Sequence, residues 1–208
     1  QDFVTEKNQV TAVKTNRGSI KCGCVVQAIA GASSILMNKL HIKSPIHTFP
    51  LQAMVSQPFK PFLNPLVSSS ALHCYVQQTS RGEIVFGGGS DPYPLYNTRS
   101  TLDLKESLLA HAIEMFPFMA NVKLMRQWAG MTDMTPDYSP IMGKSPYDNY
   151  YLDAGWGTWG FKATPICGKT MAELVATGKT PRLIEPFALE RFSTFQQVNE
   201  MGATAASH

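Results

Sequence analysis

Tyr150–Thr170 reads YYLDAGWGTWGFKATPICGKT, and the fold turns on how this stretch is read. An apolar, aromatic strand (YYLDA) runs into a glycine-rich turn, and the turn runs into the start of a helix. Gly155, Gly157 and Gly160 carry no Cβ, so their backbone can approach a neighbour closely. A helix beginning just beyond offers free N–H groups and the positive end of its dipole, and Lys162 adds a cation at the junction. Two readings stay open. The stretch is a backbone cradle for an electron-rich ligand edge, or a tight strand-to-helix turn whose glycines serve packing. Ala163–Thr170 (ATPICGKT) also imitates a relaxed Walker A loop. Pro165 removes a donor that such a loop needs, and no later strand ends in a metal-binding Asp, so a helix interior is expected there.

Upstream, Val10–Ala30 reads as short strands. VTAVKT alternates, Asn16-Arg17-Gly18 turns, SIKCG returns, and CVVQAIAG is a near-continuous apolar run suited to a strand buried on both faces. It ends in Gly31-Ala32-Ser33-Ser34, a small-residue loop where a ligand can come close at Gly31. Leu51–Ser56 reads as a strand between prolines. Leu72–Thr79 alternates, with Leu72, Cys74 and Val76 on one face and His73, Tyr75 and Gln77 on the other. Ser80-Arg81-Gly82 turns it back into Glu83–Phe86. The His73/Tyr75 face either meets solvent or lines a pocket. Gly87-Gly88-Gly89 reads as a flexible loop. Ser100–Phe116 has one apolar stripe and a capping-box start at Ser100 and Asp103, and Pro117 stops it. Val122–Met134 reads as a long strand broken at Gly130. Asp133 and Asp137 are a carboxylate pair by spacing, but Thr135-Pro136-Asp137 is a turn signature in which Asp bonds locally. Ala163–Ala176 is helical with Gly178 as its C-terminal cap. The tail packs to about Phe195 and frays beyond.

Bulk properties narrow the function classes. The chain has 208 residues, 44% of them hydrophobic and 16% charged, which describes a globular protein. Its net charge of +3 is scattered, without a basic cluster interleaved with aromatics, so nucleic acid is not an expected partner. No apolar run approaches the ~20 residues of a membrane span. Cys22, Cys24, Cys74 and Cys167 have neither zinc-site nor disulfide-framework spacing, which suits a reducing, cytoplasmic setting and no metal. The order of strands, mixed antiparallel sheet with a helix, then strand–turn–helix implies an α+β fold whose ends meet in one layer. The chain starts without Met and shows no GxGxxG near its N-terminus. It reads as the C-terminal part of something longer.

Four stretches, VVQAIAG, PLQAMVS, RQWAGMTDMTPDYSPIMG and GWGTWGFKATP, together with Pro186–Phe192 (PFALERF) and the His208 ending, resemble the glycine, sarcosine and D-amino-acid oxidase family of FAD enzymes. Within it they resemble the beta-subunit family of heterotetrameric sarcosine oxidases. The resemblance covers essentially the whole chain. It implies oxidative demethylation of sarcosine to glycine, with formaldehyde or methylene-tetrahydrofolate and hydrogen peroxide as further products. It also implies FAD, an FMN attached elsewhere, and alpha, gamma and delta partner subunits. On this resemblance Gly155, Trp156, Gly157, Thr158, Trp159, Gly160 and Phe161 lie along the flavin's pyrimidine edge, and Gly31 also lies at the cofactor. Lys162 pairs with the substrate carboxylate, and His73 and Tyr75 form pocket wall. Trp159 stands where close relatives carry a small residue or His. The implied layout is the end of an FAD-binding α/β domain over 1–42, an antiparallel-sheet substrate domain over 43–148, a strand, turn and helix returning to the FAD domain over 149–178, and a tail over 179–208. A related FAD amine oxidase or dehydrogenase of dimethylglycine or glycine type is the runner-up. A non-catalytic interface subunit is the alternative of another class.

Overall fold

The N-terminal strands β1 (Asp2–Glu6), β2 (Gln9–Thr15) and β3 (Gly18–Lys21) form an antiparallel meander. In this computed structural model, which describes residues 2–198, the turn between β2 and β3 is closed by Gly18 at φ +119°. β4 follows, covering only Val25–Gln27, then a 3-10 turn at Ala30–Ala32 and the short helix α1 (Ser33–Lys39). The apolar run CVVQAIAG was expected to be buried on both faces, but Val26 is 43% and Ile29 40% exposed. Among the described residues β4 pairs with one strand, β11, which leaves Val26 partly uncovered, and Ile29 lies beyond the strand.

The described chain forms two compact units, one of residues 2–48 with 132–198 and the other of residues 49–131. A five-stranded sheet in the order β6-β7-β8-β5-β9 is built from β5 (His47–Pro58), β6 (Val67–Ser69), β7 (Cys74–Gln78), β8 (Glu83–Ser90) and β9 (Leu124–Met134). Helix α2 (Leu102–Met115) packs on β7 and β8. Met54, Val76, Ile84, Phe86, Leu108 and Ala112 are buried between them. Each large apolar side chain so buried contributes about 1.5–3 kcal/mol.

Four local expectations are corrected in this unit. Gly87–Gly89 is not a loop but the end of β8, and a Cβ at Gly87 would stand 2.6 Å from the Gln52 carbonyl oxygen. The His73 carbonyl before β7 and the Leu104 side chain on α2 crowd Gly88 and Gly89 in the same way. No capping box forms on α2. Its N-cap is Thr101, whose hydroxyl donates to Asp91 and accepts from Gln52, so a buried side-chain network takes the place of local capping. β9 runs through Gly130 unbroken. β7 begins at Cys74, and His73 sits in the preceding turn at φ +46°, so it does not share the alternation of Tyr75 and Gln77.

In the first unit, β10 (Ile141–Lys144) pairs antiparallel with β11 (Tyr150–Ala154), and β11 runs parallel to β4 with Tyr150 opposite Val25. β1–β3 form a sheet of their own, and of the N-terminal strands only β4 joins the sheet of the last strand. The Asn149 side chain bonds both backbone groups of Val10 and the Gly23 carbonyl, tying that sheet to β2. Tyr150 is fully buried and donates to Gln27 Oε1 at 2.5 Å; burial pushes its phenol well above the usual range. Helix α3 (Gly160–Thr177) lies on β10 and β11 and closes on Gly178 at φ +69°, whose N–H donates to the Leu174 carbonyl. This cap was expected. The fold is α+β with a mixed sheet and antiparallel sheets, as the element order implied.

The tail makes two 3-10 turns, Arg182–Phe187 and Leu189–Phe192. Phe195 is 88% exposed, so firm packing ends before it. The expected fraying beyond and the His208 ending fall on residues 199–208, outside the described range.

Candidate functional site

The glycine turn is built against the end of β9. β11 ends at Ala154, Gly155 takes φ +74° and Gly157 φ +54°, and α3 begins at Gly160. Both positive-φ glycines face their own protein. A Cβ at Gly155 would meet the Thr135 Cγ2 at 2.5 Å, and one at Gly157 the Met134 sulfur at 2.7 Å. The close approach read from the sequence is therefore made to residues 134 and 135.

The N–H groups of the turn also point inward. Gly155 N–H donates to Asp133 Oδ2 at 2.5 Å, and Gly157 N–H to the Asp133 carbonyl at 2.9 Å. The backbone N–H groups of Trp156 and Gly157 act on the same carboxylate. Asp133 is 2% exposed, and burial lifts its carboxyl above the usual range against the pull of those N–H groups. The Trp156 indole N–H donates to Asp153 Oδ1 at 2.6 Å, and burial lifts Asp153 as well. Two half- or fully buried carboxylates thus brace the turn from within.

What the turn leaves outward is the first turn of α3. Its N-cap, Trp159, makes no side-chain cap bond. The first N–H groups of a helix have no intrahelical acceptor, so Gly160, Phe161 and Lys162 present donors and the positive dipole end. Lys162 is exposed, with Nζ 4.4 Å from the Trp159 ring centroid. The Trp159 ring, 37% exposed, thus lies under the Lys162 ammonium in a cation–π contact. Thr158 is exposed, Trp156 is half-buried, and Phe161 is 96% exposed. The Walker A imitation is absorbed into α3, where the Thr170 hydroxyl donates to the Ile166 and Cys167 carbonyls.

Gly31 is buried in its 3-10 turn, and its carbonyl accepts the Thr48 hydroxyl at 2.8 Å. Two buried hydroxyls, Ser33 Oγ and Thr132 Oγ1, have no hydrogen-bond partner. In the other unit Tyr75 is half-buried, and burial followed by the neighbouring Cys74 raises its phenol. Trp128 on β9 is 41% exposed, and Arg126 is exposed. Among the described residues no group of three or more His, Cys, Asp or Glu side chains is placed to hold a metal, and no helix is long and apolar enough to cross a membrane.

Sequence reasoning treated Asp133 and Asp137 as one possible pair. The structure gives them separate jobs. Asp133 holds the glycine turn, while Asp137 is in a buried ion pair with Arg191 at 2.8 Å. Only the polar residue at the buried end of an apolar strand hinted at the first. Nothing local hinted at the second.

The family model described as "FAD dependent oxidoreductase" matches residues 1–174. The chain is 42% identical over 206 residues to a sarcosine oxidase subunit beta from an Arthrobacter species, covering 99% of this chain and 51% of that protein. It is also 42% identical to a sarcosine oxidase subunit beta from Rhodobacter capsulatus, covering 98% of this chain and 49% of that protein. Its fold matches the crystal structure of L-proline dehydrogenase from P. horikoshii, with a TM-score of 0.86 and 31% identity over 95% of this chain and 54% of that one. The chain spans about half the length of the curated relatives it matches. On the family match and these relatives, the chain belongs to the FAD dependent oxidoreductase family.

Proposed function

We propose that the chain is the C-terminal, substrate-side half of a sarcosine oxidase beta subunit. The observation that carries this reading is the uncapped N-terminus of α3 with Lys162 beside it, in a chain similar along nearly its whole length to such subunits. These donors suit an FAD. The pyrimidine edge of a flavin gathers negative charge on reduction, and backbone N–H groups at a helix N-terminus stabilise such charge. The partnerless hydroxyls of Ser33 and Thr132 are further polar atoms for which a bound group would supply partners.

Bound FAD supplies the acceptor for the hydride that leaves the N-methyl carbon of sarcosine. The chain's own residues bind and orient. In this reading Lys162 pairs with the substrate carboxylate, held in place by Trp159. The 155–161 segment lies along the flavin edge, Gly31 allows close backbone approach, and His73 and Tyr75 form pocket wall. The imine of the substrate is hydrolysed to glycine and formaldehyde, or its one-carbon unit passes to tetrahydrofolate. Dioxygen takes the two electrons and becomes hydrogen peroxide. An FMN attached outside this chain, alpha, gamma and delta partner subunits in a heterotetramer, and a cytoplasmic location complete the proposal. The domain roles (FAD-side pieces over 1–42 and 149–178, substrate sheet over 43–148, tail over 179–208) belong to it too. A second reading, a related FAD oxidase or dehydrogenase for another amino acid such as dimethylglycine, glycine or proline, is favoured by the 31% identity to L-proline dehydrogenase.

The test uses the full-length protein with its partner subunits. Sarcosine should release peroxide, and Lys162→Ala should raise the sarcosine KM by about tenfold or more, as expected for loss of one charge-assisted contact. An unchanged KM refutes the carboxylate clamp. Turnover of proline or dimethylglycine with a dye acceptor, and none of sarcosine, selects the second reading.

A further inference from the structure

Asp133 raises a problem of its own. A carboxylate that is 2% exposed is costly unless something compensates it, and backbone N–H groups of residues 155–157 are what face it. Successive N–H groups that converge where the chain visits positive φ form an anion-binding concavity. Gly155 at φ +74° and Gly157 at φ +54° bend the turn in this way. The GWG turn thus gathers a backbone donor onto an acceptor, and that acceptor is the protein's own side chain.

We propose that Asp133 is a positioning residue: its carboxylate fills the concavity of the Gly155–Gly157 turn and thereby aims the free N–H groups at the start of α3. This rests on the reading of α3's first turn as the flavin-edge contact. The physical logic is a division of donors. With the N–H groups of Gly155 and Gly157 consumed inside, an external ligand meets only those of the helix start, and it meets them in one orientation. The Asp133 backbone reinforces the arrangement, since its carbonyl takes the Gly157 N–H while its carboxylate takes that of Gly155. One residue at the end of β9 thus sets both ends of a three-residue turn. Without the carboxylate the Gly155 N–H loses its acceptor while the Gly157 N–H keeps the Asp133 carbonyl, so the turn relaxes at its first residue and α3 starts at a different pitch.

The experiment is done on the full-length, FAD-loaded protein. Asp133→Ala should shift the visible absorption spectrum of the flavin and weaken FAD retention by about tenfold or more, since small misplacements of a positioning element are costly. Sodium formate, a carboxylate small enough to re-enter the emptied concavity, should restore both and raise the melting temperature of the variant without affecting the parent. Unchanged spectrum and FAD retention in Asp133→Ala overturn the proposal, and so does a variant that formate does not rescue. If Asp133→Ala does not fold, Asp133→Asn takes its place. It keeps the shape and one acceptor oxygen for the Gly155 N–H but removes the charge, and a smaller spectral shift in the same direction is expected. Phe161→Pro removes one outward N–H from an exposed helix position and separates the two ideas. An unchanged flavin spectrum in Phe161→Pro refutes the flavin-edge reading itself, whereas the response of Asp133→Ala to formate still judges the turn.

Discussion

Replacing Arg191 by Ala should be among the most damaging single changes available in this chain. The guanidinium is buried and spends its donors completely. Nε and Nη2 bond the two oxygens of Asp137 at 2.8 and 3.0 Å, Nη1 bonds the Phe187 and Ala188 carbonyls, and Nη2 also bonds the Ser139 carbonyl. Both side chains are only 3% exposed. Truncation leaves Asp137 charged and buried with only the N–H groups of Ser139 and Val198 for support. Breaking a buried pair from one side costs about 3–5 kcal/mol. For a full-length protein about twice as long as this chain, that lowers the melting temperature by about 4–6 °C. Thermal denaturation of the full-length protein, followed by far-UV circular dichroism, measures it. Arg191→Lys should fall between, because an ammonium keeps the charge but not the five-donor fork. A drop of less than about 1 °C for Arg191→Ala, roughly 1 kcal/mol at that length, would mean that water or relaxation satisfies Asp137 and that the tail is not clamped as described.

Two further outcomes follow from the same geometry. Gly155→Ala and Gly178→Ala carry similar backbone strain, at φ +74° and +69°, but only the first also drives a Cβ to 2.5 Å from Thr135. Gly178→Ala should cost about 1 kcal/mol and Gly155→Ala about 1–3 kcal/mol more, read from denaturant midpoints; equal costs would remove the packing argument. The acid limb of stability should depend on Asp137. Burial raises its carboxyl, but the Arg191 bonds outweigh this and leave it below the usual range. A folded value below the unfolded one gives stability that is present above about pH 4 and lost as pH falls through the folded value. Asp133, lifted by burial, acts in the opposite sense and loses stability as pH rises from about 4 through its folded value. Melting temperature against pH for Arg191→Ala should lose the first limb; an intact limb would assign it elsewhere.

Much of the fold was present in local pattern because local physics decides it. The apolar stripe of α2, the left-handed cap at Gly178, the hairpin at Gly18 and the run of aromatic residues in β11 follow from periodicity and from the conformational freedom of glycine. Chain order also suggested that the first strands and the last strand share a layer, which holds for β4, paired with β11, but not for β1–β3, which form their own sheet. The family was legible as well, since its motifs lie in sequence order along the whole chain.

Pairing across long sequence separations was not legible. CVVQAIAG is apolar enough to be central, yet among the described residues β4 pairs with one strand, and burial depends on neighbours that composition does not name. Three consecutive glycines look like a loop until Gln52 on β5, the His73 backbone before β7 and Leu104 on α2 close in on Gly87, Gly88 and Gly89 in turn. Asp137 and Arg191 are 54 residues apart, and only the packed tail makes them one buried unit. The glycine turn shows the same division most sharply. The sequence alone left Gly155–Gly157 as either a backbone cradle for an electron-rich ligand edge or a turn whose glycines serve packing, and named no anion for it. Tertiary structure alone decided that the anion is Asp133, because a carboxylate is held there only when the end of β9 is folded beneath the turn.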